Sequence, residues 1–169
     1  MSDLGFLQNL KSLWSLDIKL GGTNNLVALA GMNGIKYLEL WQIKGLCDLS
    51  FISKMLGLQY LFLQALPHIT SLPRMSDLKA LRRVSLINMK GLKDLSPLLD
   101  LSAIEEFIHS DARGMEPEQY ADLLNKSTIK KVSVKMGSTR KNEVFSKMAA
   151  RACKKEFTFS RDEVMFKFN

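Results

Sequence analysis

An internal repeat with a period of 22 to 25 residues constrains the fold of this chain more than any other sequence feature. A six-residue pattern with apolar residues at its first, fourth and sixth positions occurs at 13–18, 35–40, 58–63, 81–86, 104–109 and 129–134. A single unit of this size cannot bury its own apolar face, whereas stacked units share one continuous core. The repeat therefore predicts a solenoid with one short strand in each unit.

The segments between the predicted strands repeat as well. Asp48-Leu49 precedes Leu58 by ten residues, and the same spacing leads from Asn25, Ser71 and Asp94 to the next repeat pattern. Each unit is thus predicted to contain a strand, a turn with one buried apolar residue, and a convex helical or 3₁₀ return.

These six copies, which cover about residues 3–135, resemble the leucine-rich repeat family, and most closely its short bacterial, internalin-like units. The resemblance implies an α/β solenoid, a horseshoe segment with a concave parallel β-sheet and convex helical or 3₁₀ returns. It also implies recognition of a protein partner on the concave face. The family commonly places Asn three residues after the last strand leucine. Here Ile43, Leu66 and Met89 hold that position, and we infer an apolar ladder.

The periodicity ends near residue 135, which divides the chain into two predicted parts. Residues 1–135 form the repeat array, and residues 136–169 form a C-terminal α+β cap. The half-unit at residues 3–13 is either a minimal cap or part of a longer array, and both alternatives stay open.

The last third of the chain has helix and strand signals of its own. Residues 116–125 predict a helix, and 138–154 predict a second, with Ser138 as its N-cap. The alternating patterns at 157–159 and 164–168 predict two strands in the cap.

The composition fits one globular domain, with 169 residues of which 46% are hydrophobic. No apolar run approaches the roughly 20 residues of a membrane span, and the first residues lack the pattern of a signal peptide. Two distant cysteines, Cys47 and Cys153, suit a reducing compartment. We therefore expect a cytoplasmic protein that is a monomer or self-associates weakly, and the resemblance to internalin-like repeats implies a bacterial one.

The sequence offers little catalytic chemistry. Of the two histidines, His68 is predicted in a turn, and His109 at an inward strand position where other copies have Leu, Ile or Val. No cluster of metal ligands and no glycine-rich phosphate loop is present. The sequence therefore predicts a protein that is not an enzyme and that has no cofactor or metal.

The predicted concave face carries the main candidate site. Side chains alternate along a strand, so Leu38 and Leu40 point inward while Tyr37, Glu39 and Trp41 point outward. Aromatic residues and Arg dominate interface hot spots, which favours a partner-binding patch over rings that merely stiffen the sheet. The predicted partner-binding residues are Tyr37, Glu39, Trp41, Tyr60, Phe62, Gln64, Arg83, Ile87 and Lys131.

Two functions follow from these patterns. The first is a protein–protein interaction module, in a narrower version an inhibitor or immunity-type protein that blocks a toxin or an enzyme. The alternative is binding of nucleic acid or an anionic surface through residues 126–155, which have ten basic residues against the single acidic Glu143. The basic residues are Lys126, Lys130, Lys131, Lys135, Arg140, Lys141, Lys147, Arg151, Lys154 and Lys155. A solvated capping helix beside a Lys-rich edge strand accounts for the same charge.

Overall fold

The computed structural model describes residues 4–158 and 165–169, and it shows a parallel sheet whose strands are ordered as in the sequence. The strands are β1 (Ser15–Lys19), β2 (Tyr37–Trp41), β3 (Tyr60–Gln64), β4 (Arg83–Ile87), β5 (Glu106–Ser110), β6 (Lys131–Lys135) and the short β7 (Lys155–Glu156). The predicted α/β solenoid with a parallel sheet is confirmed. The first six strands begin two residues later than the repeat pattern, because its first apolar residue lies in the preceding turn.

The core follows from the alternation along each strand. Leu38 and Leu40 are fully buried, as are Leu61 and Leu63 at the same positions of β3. The turn residues Ile43, Leu66 and Met89 are also buried, so the apolar ladder is present. Parallel strands stack these equivalent positions about 4.8 Å apart, and neighbouring units therefore share one continuous apolar core.

Short 3₁₀ helices form the convex returns at Leu4–Asn9, Val27–Leu29, Ser50–Lys54 and Ser96–Leu98. Three of them begin with a side-chain oxygen that accepts the backbone N–H two residues later, at 2.8 to 2.9 Å from Asn25, Asp48 and Asp94. In the return between β3 and β4 the equivalent acceptor is Ser71, and the residue two positions later, which would donate its N–H, is Pro73. Proline has no backbone N–H to donate. The described backbone accordingly has no 3₁₀ helix in this return.

A left-handed residue follows each of the first five strands, with φ between 50° and 56° at Leu20, Gln42, Ala65, Asn88 and Asp111. Only the last two are residue types that adopt this conformation readily. The N–H of Gln42 still continues the sheet ladder, 3.0 Å from the carbonyl oxygen of Gln64. The repeating turn thus directs every unit out of the sheet at the same point.

Two helices follow the predicted positions near the C-terminus. A 3₁₀ turn at Pro117–Tyr120 leads into α1 (Ala121–Asn125), and α2 spans Thr139–Arg151. The Ser138 hydroxyl accepts the N–H of Lys141 at 3.4 Å and caps α2. No helix among the described residues has the length and apolarity that crossing a bilayer requires.

The two predicted cap strands need a correction. Phe157 lies outside any strand, and residues 165–168 also form no strand, while 159 and 164 lie outside the described residues. For residues 165–168 the reason is that the backbone of 165–169 bonds to Gln59 and Arg82, side chains directly before β3 and β4. The Phe157 N–H still bonds to the Val132 carbonyl of β6 at 2.8 Å. The division between array and cap at residue 135 stays a prediction.

Candidate functional site: the concave face

The strand register brings the predicted aromatic residues together. Tyr37 is the direct neighbour of Tyr60 across β2 and β3, and Glu39 is the neighbour of Phe62. The rings of Tyr37 and Tyr60 lie 5.0 Å apart, and those of Tyr60 and Phe62 lie 6.5 Å apart, both edge to face. All these side chains are half-buried. The structure therefore contains the aromatic cluster that the alternation predicted.

Glu39 is held by neighbours within the sheet. The Tyr37 hydroxyl donates to its carboxylate at 2.6 Å, and the Lys19 ammonium lies 3.0 Å from the other oxygen. Burial, together with the bond to Glu39, raises the pKa of Tyr37 far above its ordinary value. Lys19 also lies over the ring of Trp41, 5.9 Å from its centre. This end of the patch is thus a connected polar and aromatic network.

Arg83 and Lys131 occupy a different environment. The Arg83 Nε lies 2.5 Å from the Glu106 carboxylate, and its side chain is only 4% exposed. Its guanidinium stacks on Tyr60 and on the buried Phe157, at 5.1 and 4.8 Å from the ring centres. Lys131 lies 3.8 Å from Glu106. A role for Arg83 and Lys131 in binding acidic groups of a partner stays a prediction, and their charges already face an internal carboxylate.

The outward positions of β4, β5 and β6 are less accessible than the alternation predicted. Ser85, Ile108 and Ser133 follow Phe62 in register, yet all three are buried. A side chain can therefore point out of the sheet and still be covered. The accessible aromatic surface is therefore confined to the strands up to β3.

The C-terminal residues 165–169, here called the tail, lie against the amino-terminal ends of these strands. The Phe168 ring packs edge to face on Trp14 and Tyr37, with ring centres 5.3 and 6.3 Å apart. Phe166 packs on Tyr60 at 5.4 Å. Sequence reasoning missed these contacts, because it assigned the alternation of Phe166 and Phe168 to a strand of the cap.

Side chains directly before the strands hold the tail backbone. The Arg82 guanidinium donates to the Lys167 carbonyl at 2.5 Å and lies 4.7 Å from the centre of the Phe166 ring. Gln59 donates to the main-chain oxygen of Asn169 at 3.2 Å and accepts the Asn169 N–H at 3.0 Å. Lys36 donates to the same oxygen. One position in three consecutive repeats thus supplies polar contacts to the tail.

An aromatic cleft remains between the tail and the sheet. Its volume is about 360 Å³, and it is open to solvent. It is lined by Trp14, Ser15, Tyr37, Tyr60, Phe62, Phe166 and Phe168. The tail therefore covers one edge of the aromatic cluster and leaves space beside it.

Trp41, Gln64 and Ile87 form the row at the opposite, carboxyl-terminal ends of β2, β3 and β4, and all three are half-buried. The indole N–H of Trp41 is shielded from solvent and has no hydrogen-bond partner in the described structure. A ring in this position contributes apolar surface and no polar bond to the fold.

Much of the basic segment is used inside the protein. Lys126 donates to the Leu99 carbonyl at 2.9 Å, and Lys154 donates to two backbone carbonyls at 2.8 Å. Lys130, Lys131, Lys135 and Lys141 pair with carboxylates. Six basic residues of the segment are exposed, and two of these, Lys130 and Lys135, belong to the ion pairs just described. The other four are Arg140, Lys147, Arg151 and Lys155. The net positive charge therefore overstates the free basic surface.

His109 lies in the core. Its Nδ1 is 2.9 Å from the buried Tyr120 hydroxyl, and burial, with a smaller effect of the Lys93 charge, lowers its pKa to about 4. Among the described residues no group of three or more His, Cys, Asp or Glu could hold a metal ion. Cys47 and Cys153 are free and exposed.

Comparison with known proteins supports the fold. No family model and no curated protein sequence matches the chain. Among solved structures, an internalin from Listeria monocytogenes superposes with a TM-score of 0.59 at 24% sequence identity. The match covers 79% of this chain and 38% of the internalin chain. The protein therefore has the leucine-rich repeat fold of an internalin-like solenoid, and it spans well under half of that neighbour's length.

Proposed function

We propose that this protein is a non-enzymatic interaction module that binds a protein partner on its concave face. The observation that supports this most is the half-exposed cluster of Tyr37, Trp41, Tyr60 and Phe62 on two adjacent strands. Large aromatic residues with few rotatable bonds are the residues that most often dominate binding energy. The internalin-like fold is consistent with this role, since such solenoids present an extended concave surface.

Within the cluster, Trp41 and Phe62 are the best candidates for direct contact. Tyr37 and Tyr60 pack on each other, and both also contact the tail, so they have structural roles. Gln64 and Ile87 extend the row that begins at Trp41, and Glu39 supplies a carboxylate already bound to Lys19. We therefore propose that the partner contacts the carboxyl-terminal ends of β2 to β4 first.

The test is affinity capture from a lysate of the native cell, with identification by mass spectrometry. The wild-type protein is compared with Trp41→Ala/Phe62→Ala and with Val27→Ala, which removes an exposed apolar side chain on the convex side. We expect one protein that binds to the wild type and to Val27→Ala, and that loses at least about tenfold in affinity with the concave variant. Equal binding to all three would contradict the proposal.

A salt series in the same experiment separates the alternative function. Nucleic acid bound through exposed basic residues would dissociate steeply as salt rises, because counterion release scales with phosphate contacts. It would respond to Lys147→Glu/Arg151→Glu and ignore the loss of Trp41. The narrower hypothesis of an inhibitor adds a further expectation. A partner that is an enzyme or toxin should lose activity when one equivalent of the protein is added.

A further inference from the structure

The tail lies on the concave face as a bound peptide would. Its two phenyl rings pack on aromatic side chains of the sheet, Phe168 on Trp14 and Phe166 on Tyr60. Its backbone bonds to side chains of the repeats at the carbonyl of Lys167, at the main-chain oxygen of Asn169 and at the Asn169 N–H. Peptide-binding sites work in this way, since backbone bonds supply affinity and pockets for alternate side chains supply specificity.

These contacts define which sequence the site accepts. The rings at positions 166 and 168 are half-buried. The side chains of Met165, which precedes them, and of Lys167, which lies between them, are exposed. The recognised features of the chain are therefore two aromatic rings at alternate positions and the peptide groups beside them. The residue between the rings contributes only its carbonyl, which Arg82 binds.

We propose that this groove binds an extended, aromatic-x-aromatic peptide segment of the protein partner, and that the tail occupies the groove as an internal ligand until that segment displaces it. The groove consists of Trp14, Lys36, Tyr37, Gln59, Tyr60 and Arg82. This inference rests on the proposed function and adds the chemistry of the partner. After the first contact at the carboxyl-terminal ends of the strands, the open cleft of about 360 Å³ beside the tail lets a partner ring reach Phe62 and Tyr60 while the tail is still bound.

The internal ligand sets the affinity for an external one. A tethered segment competes at an effective concentration in the millimolar range, so a peptide added to the wild-type protein meets an occupied groove. Removal of the two tail rings should therefore raise the affinity for an added peptide by at least about tenfold.

The two tryptophans of the chain provide a direct readout. Trp14 contacts the tail, whereas Trp41 lies at the opposite ends of the strands. The protein is labelled with 5-fluorotryptophan, and the two ¹⁹F resonances are assigned with single Trp→Phe variants. The probe is the acetylated and amidated pentapeptide of residues 165–169, Met-Phe-Lys-Phe-Asn, added up to a few millimolar.

We expect Phe166→Ala/Phe168→Ala to shift the Trp14 resonance and leave that of Trp41 in place. Added peptide should then return the Trp14 resonance toward its wild-type position with a saturable dependence. The wild type and the control Lys167→Ala, which keeps both rings and the carbonyl, should respond at least tenfold more weakly. A peptide with Ala at both Phe positions should have no effect. If the double variant is too unstable, Phe168→Ala alone is used, and the same shift of the Trp14 resonance and the same response to the peptide are expected.

Two results would overturn the proposal. One is a Trp14 resonance that is identical in the wild type and the tail variants, and the other is a tail variant that does not respond to the peptide. The proposed function fails in a different way. If the peptide binds the tail variant but concave substitutions do not affect partner capture, peptide binding by the groove is supported and the proposed binding of a partner on the concave face is contradicted. If the captured partner binds through Trp41 and the pentapeptide never competes with it, the proposed function is supported. The proposal of an aromatic-x-aromatic segment in the partner is then contradicted.

Discussion

The third residue of each strand from β1 to β6 points out of the concave sheet, and its environment differs between the two halves of the sheet. In β1 to β3 it holds Asp17, Glu39 and Phe62, which are exposed or half-buried. In β4 to β6 it holds Ser85, Ile108 and Ser133, which are buried. The strands have the same length, register and direction throughout. Alternation along a strand therefore fixes the direction of a side chain but not its exposure, which at this position is greater in the first half of the sheet.

The cations of two ion pairs show the same contrast. Lys19 and Glu39 link β1 to β2, with 39% and 14% of their side chains exposed. Arg83 and Glu106 link β4 to β5, with only 4% and 18% of their side chains exposed. Exposed pairs contribute little to stability, whereas loss of one partner from a buried pair leaves an uncompensated charge. The following predictions test this comparison, beginning with the largest effect.

Arg83→Ala should lower the free energy of unfolding by about 3 kcal/mol. It removes the nearest cation from Glu106, which among the described residues keeps only Lys131 at 3.8 Å. It also removes the stacking on Tyr60 and Phe157. Lys19→Ala, the matched change in the open half, should lower the stability much less, because the Lys19 ammonium is exposed to solvent. Urea denaturation measures both. Similar losses in the two variants would show that the two halves do not differ in the way the structure indicates.

The pH dependence of stability should report the core beneath the second half. The pKa of folded His109 is about 4, below its ordinary value of 6.5, because the ring is buried. Between pH 6.5 and 4 the unfolded chain binds a proton that the folded chain does not, so stability falls as pH falls. The loss across this window should be about 3 kcal/mol.

His109→Leu is the control for this effect, since Leu occupies the equivalent position of β4. It should flatten the stability profile between pH 6.5 and 4. Tyr120→Phe is combined with it, so that no buried hydroxyl loses its partner. Asp48 and Asp94, whose pKa values are lowered by hydrogen bonds from Ser50 and Ser96, titrate at lower pH and remain in both proteins. An unchanged slope in this window would exclude His109 as its source.

Removal of the tail rings should have an intermediate effect. Phe166→Ala/Phe168→Ala deletes two half-buried rings, and we expect a loss of about 2 kcal/mol, less than for fully buried Phe residues. Lys167→Ala, which lies between them, should change the stability by less than about 0.5 kcal/mol. Differential scanning calorimetry of the three proteins makes the comparison. A double variant as stable as the wild type would mean that the tail is not held on the sheet.

The repeat made most of the fold predictable. Leu58 and Leu81 stand in equivalent units, and the spacing between them fixes which residues meet across β3 and β4. Once the register is known, alternation places Leu61 inside and Phe62 outside. These predictions succeed because each depends on residues within about one repeat.

The covering of the concave face was not predictable in this way. Gln59 and Asn169 bond to each other across 110 residues, and the repeat period contains no information about that contact. Nor does any local pattern distinguish Phe62, half-buried, from Ile108, buried, although both occupy the same position of a strand. Exposure at these positions therefore depends on contacts outside the repeat pattern.

Trp41→Phe should have the smallest effect on stability, and it separates folding from binding most sharply. The indole N–H has no hydrogen-bond partner, so replacement by Phe removes a shielded polar group and part of a ring. We expect a change of less than about 0.5 kcal/mol in the free energy of unfolding, measured by urea denaturation. If Trp41 belongs to the recognition surface, the same substitution should still weaken the captured partner several-fold. A large loss of stability with unchanged partner binding would instead assign the aromatic cluster to the stiffness of the sheet.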